Sequence, residues 1–140
     1  MLTIVKPAYA AMVAHAIKDA PIEACGYLGH KDGIIVKHFE LENMDGSGVH
    51  FTFSPQEQFD TMRAMRSLGL RPGAVYHSHP TTPARPSEED KKLAIDPGIS
   101  YVIISLLSGP PAVQAFRIEQ GEVALEEIRI VPGESEGSRG

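Results

Sequence analysis

Residues 74–90 read AVYHSHPTTPARPSEED. Ala74 to His79 follows Pro72-Gly73 and has the look of a short strand, and Pro80, Pro83 and Pro86 stiffen the loop after it. Ser87 suits the N-cap of a third, short helix that runs through Leu93 and ends before Pro97-Gly98. Side chains at i and i+2 of a strand point to one face, so His77 and His79 can offer imidazole nitrogens to one point in space. Asp90, in the first turn of the helix, can return a carboxylate to that point. Two histidines and one carboxylate suit zinc. Three protein ligands leave the fourth tetrahedral position open for water, the arrangement of a catalytic rather than a structural site. Water held there has its pKa lowered to about 7.

Working outward, Pro7 to Asp19 carries Met12, Val13, Ala16 and Ile17 at helical spacing and ends before Pro21, which predicts a first amphipathic helix. Ala24 to Gly29 and Ile34 to Leu41 flank His30-Lys31-Asp32-Gly33 as a β-hairpin. A Gly-rich loop around Asp45-Gly46-Ser47-Gly48 leads to Ser54-Pro55-Gln56-Glu57, which reads as a capping box with proline at the first helical position. The second helix is expected to bury Phe59, Met62 and Met65 and to close at Gly69. Ser100 to Leu107 is apolar and β-branched, as a central strand buried on both faces would be. Ala112 to Glu119 and Glu122 to Ile130 form a last hairpin about Gln120-Gly121. The architecture is thus an α/β single domain over residues 1–131, a mixed central sheet flanked by three helices, with a disordered Gly/Ser/Glu-rich tail at 132–140.

Composition narrows the function. A chain of 140 residues with 42% hydrophobic and 22% charged residues is an ordinary globular protein rather than a disordered one. The formal charge of −5, with no Lys/Arg cluster, argues against a nucleic-acid or acidic-membrane partner. A lone cysteine and the lack of a signal peptide or long apolar run give a cytoplasmic expectation.

Activating water also needs a proton acceptor that is not a ligand, and Glu23, at the start of the first hairpin strand, is the leading candidate. On residue type and position alone, a solvated charge beside Pro21 is the stronger reading. Ser87, one turn before Asp90, can donate to a developing oxyanion, while the Ser87/Asp90 pair also has the form of a capping box, and the two roles are compatible. Cys25 shares the strand face of Glu23, which suggests a redox-sensitive thiol near the metal; the plainer reading is a small buried hydrophobe. Tyr76, Thr81, Thr82 and Arg85 flank the motif as candidate substrate contacts. Chance matching of the four positions His77, His79, Ser87 and Asp90 at this chain's frequencies is on the order of 10⁻³.

A glutamate upstream, then His77-x-His79-Pro80, Ser87 and Asp90, resembles the pattern of the JAMM (MPN+, JAB-type) zinc metalloprotease domain in its small stand-alone prokaryotic form. The likeness runs from the first helix to the last strand. It implies a cytidine-deaminase-like α/β fold and one Zn2+ per chain held by His77, His79 and Asp90. It further implies Glu23 as the general acid/base that deprotonates a zinc-bound water and then protonates the leaving amine, with Ser87 as oxyanion stabiliser. The partner it implies is a ubiquitin-like sulfur-carrier protein, cut at the amide after its C-terminal Gly-Gly. A deubiquitinase-like isopeptidase acting on lysine-linked conjugates is the nearest alternative, less suited to a chain without long insertions. From other classes, the same triad could hold non-haem iron, or the domain could be a non-catalytic module that docks a ubiquitin-like protein.

Overall fold

The computed structural model describes residues 1–133, so the expected tail lies, from residue 134 onward, outside the described residues. Eleven elements follow one another: β1 (Leu2–Val5), α1 (Lys6–Asp19), β2 (Cys25–Lys31), β3 (Ile34–Leu41), α2 (Pro55–Ser67), β4 (Arg71–His79), α3 (Glu88–Leu93), β5 (Ser100–Ser105), β6 (Ala112–Glu119), β7 (Glu122–Glu126) and β8 (Ile128–Val131). The strands make one mixed sheet in the order β7-β6-β5-β4-β2-β3-β1-β8. Pairs β4/β5, β1/β3 and β1/β8 are parallel and the others antiparallel. The α/β class, mixed sheet and three helices are as the sequence leads one to expect. No helix among the described residues is long and apolar enough to cross a membrane.

Alternation along the strands divides the core in two. Tyr76, Val102, Ile104 and Leu28 pack with Ala8, Met12 and Ala16 of α1 on one face. Tyr27 and Val75 pack with Met65 and Met62 of α2 on the other, where Ile103, Phe116, Ile118 and Ala84 continue the apolar layer towards the segment around α3. Both two-residue hairpin turns use the left-handed region at both positions, Asp32 (φ 52) with Gly33 (φ 82) and Gln120 (φ 51) with Gly121 (φ 78). That geometry matches the natural twist of the flanking strands.

Four expectations are corrected. Phe59 is 60% exposed, with the Arg63 guanidinium over its ring, while Met65 is buried. Residues three apart on a helix fall about 60° short of a full turn, so by Met65 the stripe has rotated away from Phe59. Ser54 does cap α2 by accepting from Glu57 N–H (3.3 Å), but the Glu57 carboxylate reaches Glu42 N–H (2.8 Å) instead of completing a capping box. β4 begins three residues earlier than Ala74, and the register passes from Leu28↔Ala74 to Gly29↔Pro72, leaving Gly73 as a bulge. The final strand is not one strand: it breaks at Glu127, and β8 pairs with β1 at the opposite edge. One residue cannot span a flat eight-stranded sheet, so the sheet curls until its edges meet.

Gly26 is the most closely packed glycine among the described residues, since a Cβ there would lie 2.6 Å from the Tyr76 ring and closer still to the Phe39 carbonyl oxygen. Gly26→Ala is expected to cost about 3 kcal/mol in urea denaturation, and Phe59→Ala under about 0.5 kcal/mol.

Candidate metal centre

The end of β4 carries both histidines onto the α2/α3 face. His77 Nε2 and His79 Nε2 stand 3.1 Å apart, and Asp90 Oδ2 lies 3.2 Å from the first and 3.1 Å from the second. His79 Nδ1 donates to the Pro83 carbonyl at 2.8 Å, which settles its tautomer and turns the Nε2 lone pair inward. The three-proline loop thus supplies both the reach to α3 and the carbonyl that orients a ligand.

Asp90 is aimed by a complete capping box. Ser87 Oγ accepts from Asp90 N–H (3.0 Å) and Asp90 Oδ2 accepts from Ser87 N–H (2.9 Å), leaving the Ser87 O–H free to donate. Burial opposes ionisation of Asp90, but hydrogen bonds from His77, His79 and the Ser87 N–H outweigh it and hold the carboxyl well below the usual range. Burial likewise works against a charged His79, and Asp90 with the Pro83 carbonyl reverses this and raises it. With no metal bound, a proton on Nε2 can bridge each imidazole to Asp90 Oδ2; with both Nε2 atoms deprotonated, three donor atoms 3.1–3.2 Å apart repel unless a cation lies between them. In a tetrahedron with bonds of about 2.0 Å, donors are about 3.3 Å apart, so these residues fit a zinc-sized ion. Among the described residues, His77, His79 and Asp90 are the group of His, Cys, Asp or Glu side chains that converges in this way.

Glu23 arrives by pairing. Ser78 N–H donates to Ala24 O (2.9 Å) and Ala24 N–H to Ser78 Oγ (2.8 Å), continuing the Cys25↔His77 register so that Glu23 falls beside His79. The Glu23 side chain is buried and its Oε1 has no hydrogen-bond partner. Burial pushes its pKa up to about 7, with His79 pulling down and Asp90 pushing up. Packing alone gives no reason for an orphaned carboxylate oxygen beside a metal-type ligand set.

The remaining candidates divide. Tyr76 is fully buried on the α1 face, its hydroxyl 2.7 Å from His15 Nδ1, because neighbours on a strand point opposite ways; it is not a substrate contact. Cys25 is also fully buried. Its Sγ donates to the Leu41 carbonyl at 3.8 Å, and burial pushes the thiol up to about 12, so the plainer reading describes it and a reactive thiolate does not. Thr81, Thr82 and Arg85 are exposed on the loop after His79. Sequence reasoning missed three residues: Ser78, inside the motif itself; Asn43, next to a turn-forming Asp-Gly; and Phe51, whose ring stacks on His77 at 4.7 Å and which no sequence signal marks. Phe51 also lines an apolar cavity of about 460 Å³ that runs from His77 and Asp90 past Phe53, Tyr27 and Tyr101.

A raised Glu23 pKa favours folding below the unfolded value of 4.5, and that contribution is lost as pH rises through 7. In metal-free protein, Glu23→Gln should therefore gain about 3 kcal/mol on wild type between pH 4 and pH 8, read from denaturation midpoints at each pH.

Residues 5–119 match the family described as prokaryotic homologs of the JAB domain. The CysO-cysteine peptidase of Mycobacterium tuberculosis is 36% identical over 124 residues, covering 86% of this chain and 85% of the relative. The probable TtuB-protein conjugate cleaving protease of Thermus thermophilus is 34% identical over 115 residues, covering 80% and 73%. The solution structure of protein DSY2949 from Desulfitobacterium hafniense superposes with a TM-score of 0.87 at 42% identity, over 99% of this chain and 97% of that one. With its fold, its His77-x-His79, Ser87 and Asp90 motif and a match over most of its length, the chain belongs to the prokaryotic JAB family, as a small JAMM/MPN+ domain.

Proposed function

We propose that the protein is a zinc metallopeptidase that hydrolyses the amide bond following the C-terminal Gly-Gly of a ubiquitin-like sulfur-carrier protein in the cytoplasm. The observation that carries this is the convergence of His77 Nε2, His79 Nε2 and Asp90 Oδ2 beside the orphaned Glu23 Oε1. Relatives whose names describe cleavage of CysO-cysteine and of TtuB-protein conjugates support the substrate class. His77, His79 and Asp90 would hold one Zn2+. When bound, zinc supplies Lewis acidity, which acidifies water and polarises a carbonyl.

The chain's own residues supply the rest. Glu23 is a buried carboxyl beside His79 and Asp90, placed to take a proton from water and give it up again. Its Oε1 would accept the proton of the attacking water and hand it to the leaving amine nitrogen as the C–N bond breaks. The Ser87 hydroxyl, whose oxygen is occupied by Asp90 N–H, would point its free hydrogen at the oxyanion. His77 is braced by the Phe51 ring and His79 by Pro83, so the ligands need little reorganisation. Exposed Thr81, Thr82 and Arg85 would line the approach of the tail.

Protein purified without a polyhistidine tag or added metal should carry one zinc per chain by plasma mass spectrometry, lost in the His77→Ala/His79→Ala double variant. Against a ubiquitin-like protein joined through Gly-Gly to cysteine or to a lysine side chain, Glu23→Gln should lose 10²-fold or more in rate while keeping zinc. Iron in place of zinc, or unchanged cleavage by Glu23→Gln, would overturn the mechanism.

A further inference from the structure

The segment between β3 and α2 is tied down by one buried side chain. Asn43 Nδ2 donates to the carbonyl oxygens of Glu23 (3.1 Å), Ser47 (3.2 Å) and His50 (3.0 Å). Its Oδ1 accepts from the N–H groups of Asp45 (3.0 Å) and Thr52 (3.3 Å). Carbonyls on one side and N–H groups on the other leave a single orientation for the amide. Glu23 N–H meanwhile donates to Ser47 O at 2.8 Å. Both backbone polar groups of Glu23 therefore end in this loop, while its neighbour Ala24 is bonded to Ser78 on the histidine strand. The β2/β4 pairing ends with the Ala24–Ser78 bonds, so Glu23's own backbone groups make no ladder bond.

An asparagine in a loop commonly closes a turn on its own neighbours, as the contacts to Asp45 and Ser47 do here. The bond to Glu23 is different in kind, since it reaches back 20 residues to the peptide that carries the unpartnered carboxyl.

We propose that Asn43 is a positioning residue for the reaction, setting the Glu23 side chain beside His79 and Asp90 by gripping the Glu23 carbonyl. The inference rests on the function proposed above. A buried carboxyl whose Oε1 has no hydrogen bond depends for its placement on its backbone and the walls around it. Asn43 is the side chain that joins that backbone to the loop whose other end, at Phe51, packs on His77.

Asn43→Asp keeps the size and the acceptor of the side chain but turns an oxygen towards three carbonyls, and Asn43→Ala removes both halves. Asp45→Ala serves as the control, because it deletes the His50 and Thr52 contacts of the same loop and touches nothing on Glu23. In zinc-loaded protein acting on a Gly-Gly-linked conjugate, both Asn43 variants should lose about tenfold or more in kcat at a KM within about twofold, with one zinc per chain; Asp45→Ala should stay within about twofold in both. Independently of activity, amide hydrogen exchange at Glu23 should quicken about tenfold or more in the Asn43 variants and not in the control. Unchanged kcat in zinc-loaded Asn43→Asp, or unchanged exchange at Glu23, overturns the proposal. If wild type cleaves no such conjugate, the functional reading fails, and exchange at Glu23 alone then decides whether Asn43 holds it.

Discussion

The antiparallel register between β2 and β4 is the constraint on which the site depends. Cys25 stands opposite His77, and the paired bonds between Ala24 and Ser78 extend that register by one residue, bringing Glu23 alongside His79. A slip of one residue would send Glu23 to the α1 face and Ala24 to the metal face. The bulge at Gly73 absorbs an extra residue at the far end of the same pair, so the pairing near the histidines stays regular. Ser78 takes part with its side chain as well as its backbone. The residue between the two candidate metal ligands is therefore also the clamp that brings in the proposed base.

Local chemistry does double duty elsewhere in the centre. The capping box of α3 stabilises a helix of only six residues and also directs Asp90 Oδ2 at two imidazoles. The Pro83 carbonyl ends a stiff loop and also fixes the His79 tautomer. Glu23 runs the other way. A buried carboxyl whose Oε1 has no hydrogen-bond partner destabilises the metal-free fold once ionised, in keeping with the role proposed for it in the chemistry.

Much of this was legible in the sequence because it is encoded locally. The three helices, the two hairpin turns and the convergence of His77, His79 and Asp90 follow from spacing, capping residues and strand alternation, all of which act over a few residues. What was hidden depends on distant partners. The exposure of Phe59 turns on which side of α2 meets the sheet. The burial of Tyr76 follows from alternation, but its pairing with His15 lies 61 residues away. Asn43 looks in sequence like any residue ahead of an Asp-Gly turn, and only tertiary structure shows its amide reaching Glu23. The sequence hides β8 because Glu122 to Ile130 is one extended stretch in local terms. Its division between two sheet edges is a property of the curled sheet.

That curl bears on the order in which the chain assembles. β1 bonds β3 on one side, a pairing between residues 3 and 34, and β8 on the other, between residues 2 and 128. During synthesis from the N-terminus, the first side can form once the hairpin has emerged, whereas the second waits until almost all described residues have been made. Closing so long a loop is entropically costlier and slower than the hairpin pairings, so the seam between β1 and β8 is the natural last step. Until then β1 presents a bare edge, and the growing chain stays open to pairing with the wrong neighbour from the time β1 meets β3 until β8 arrives.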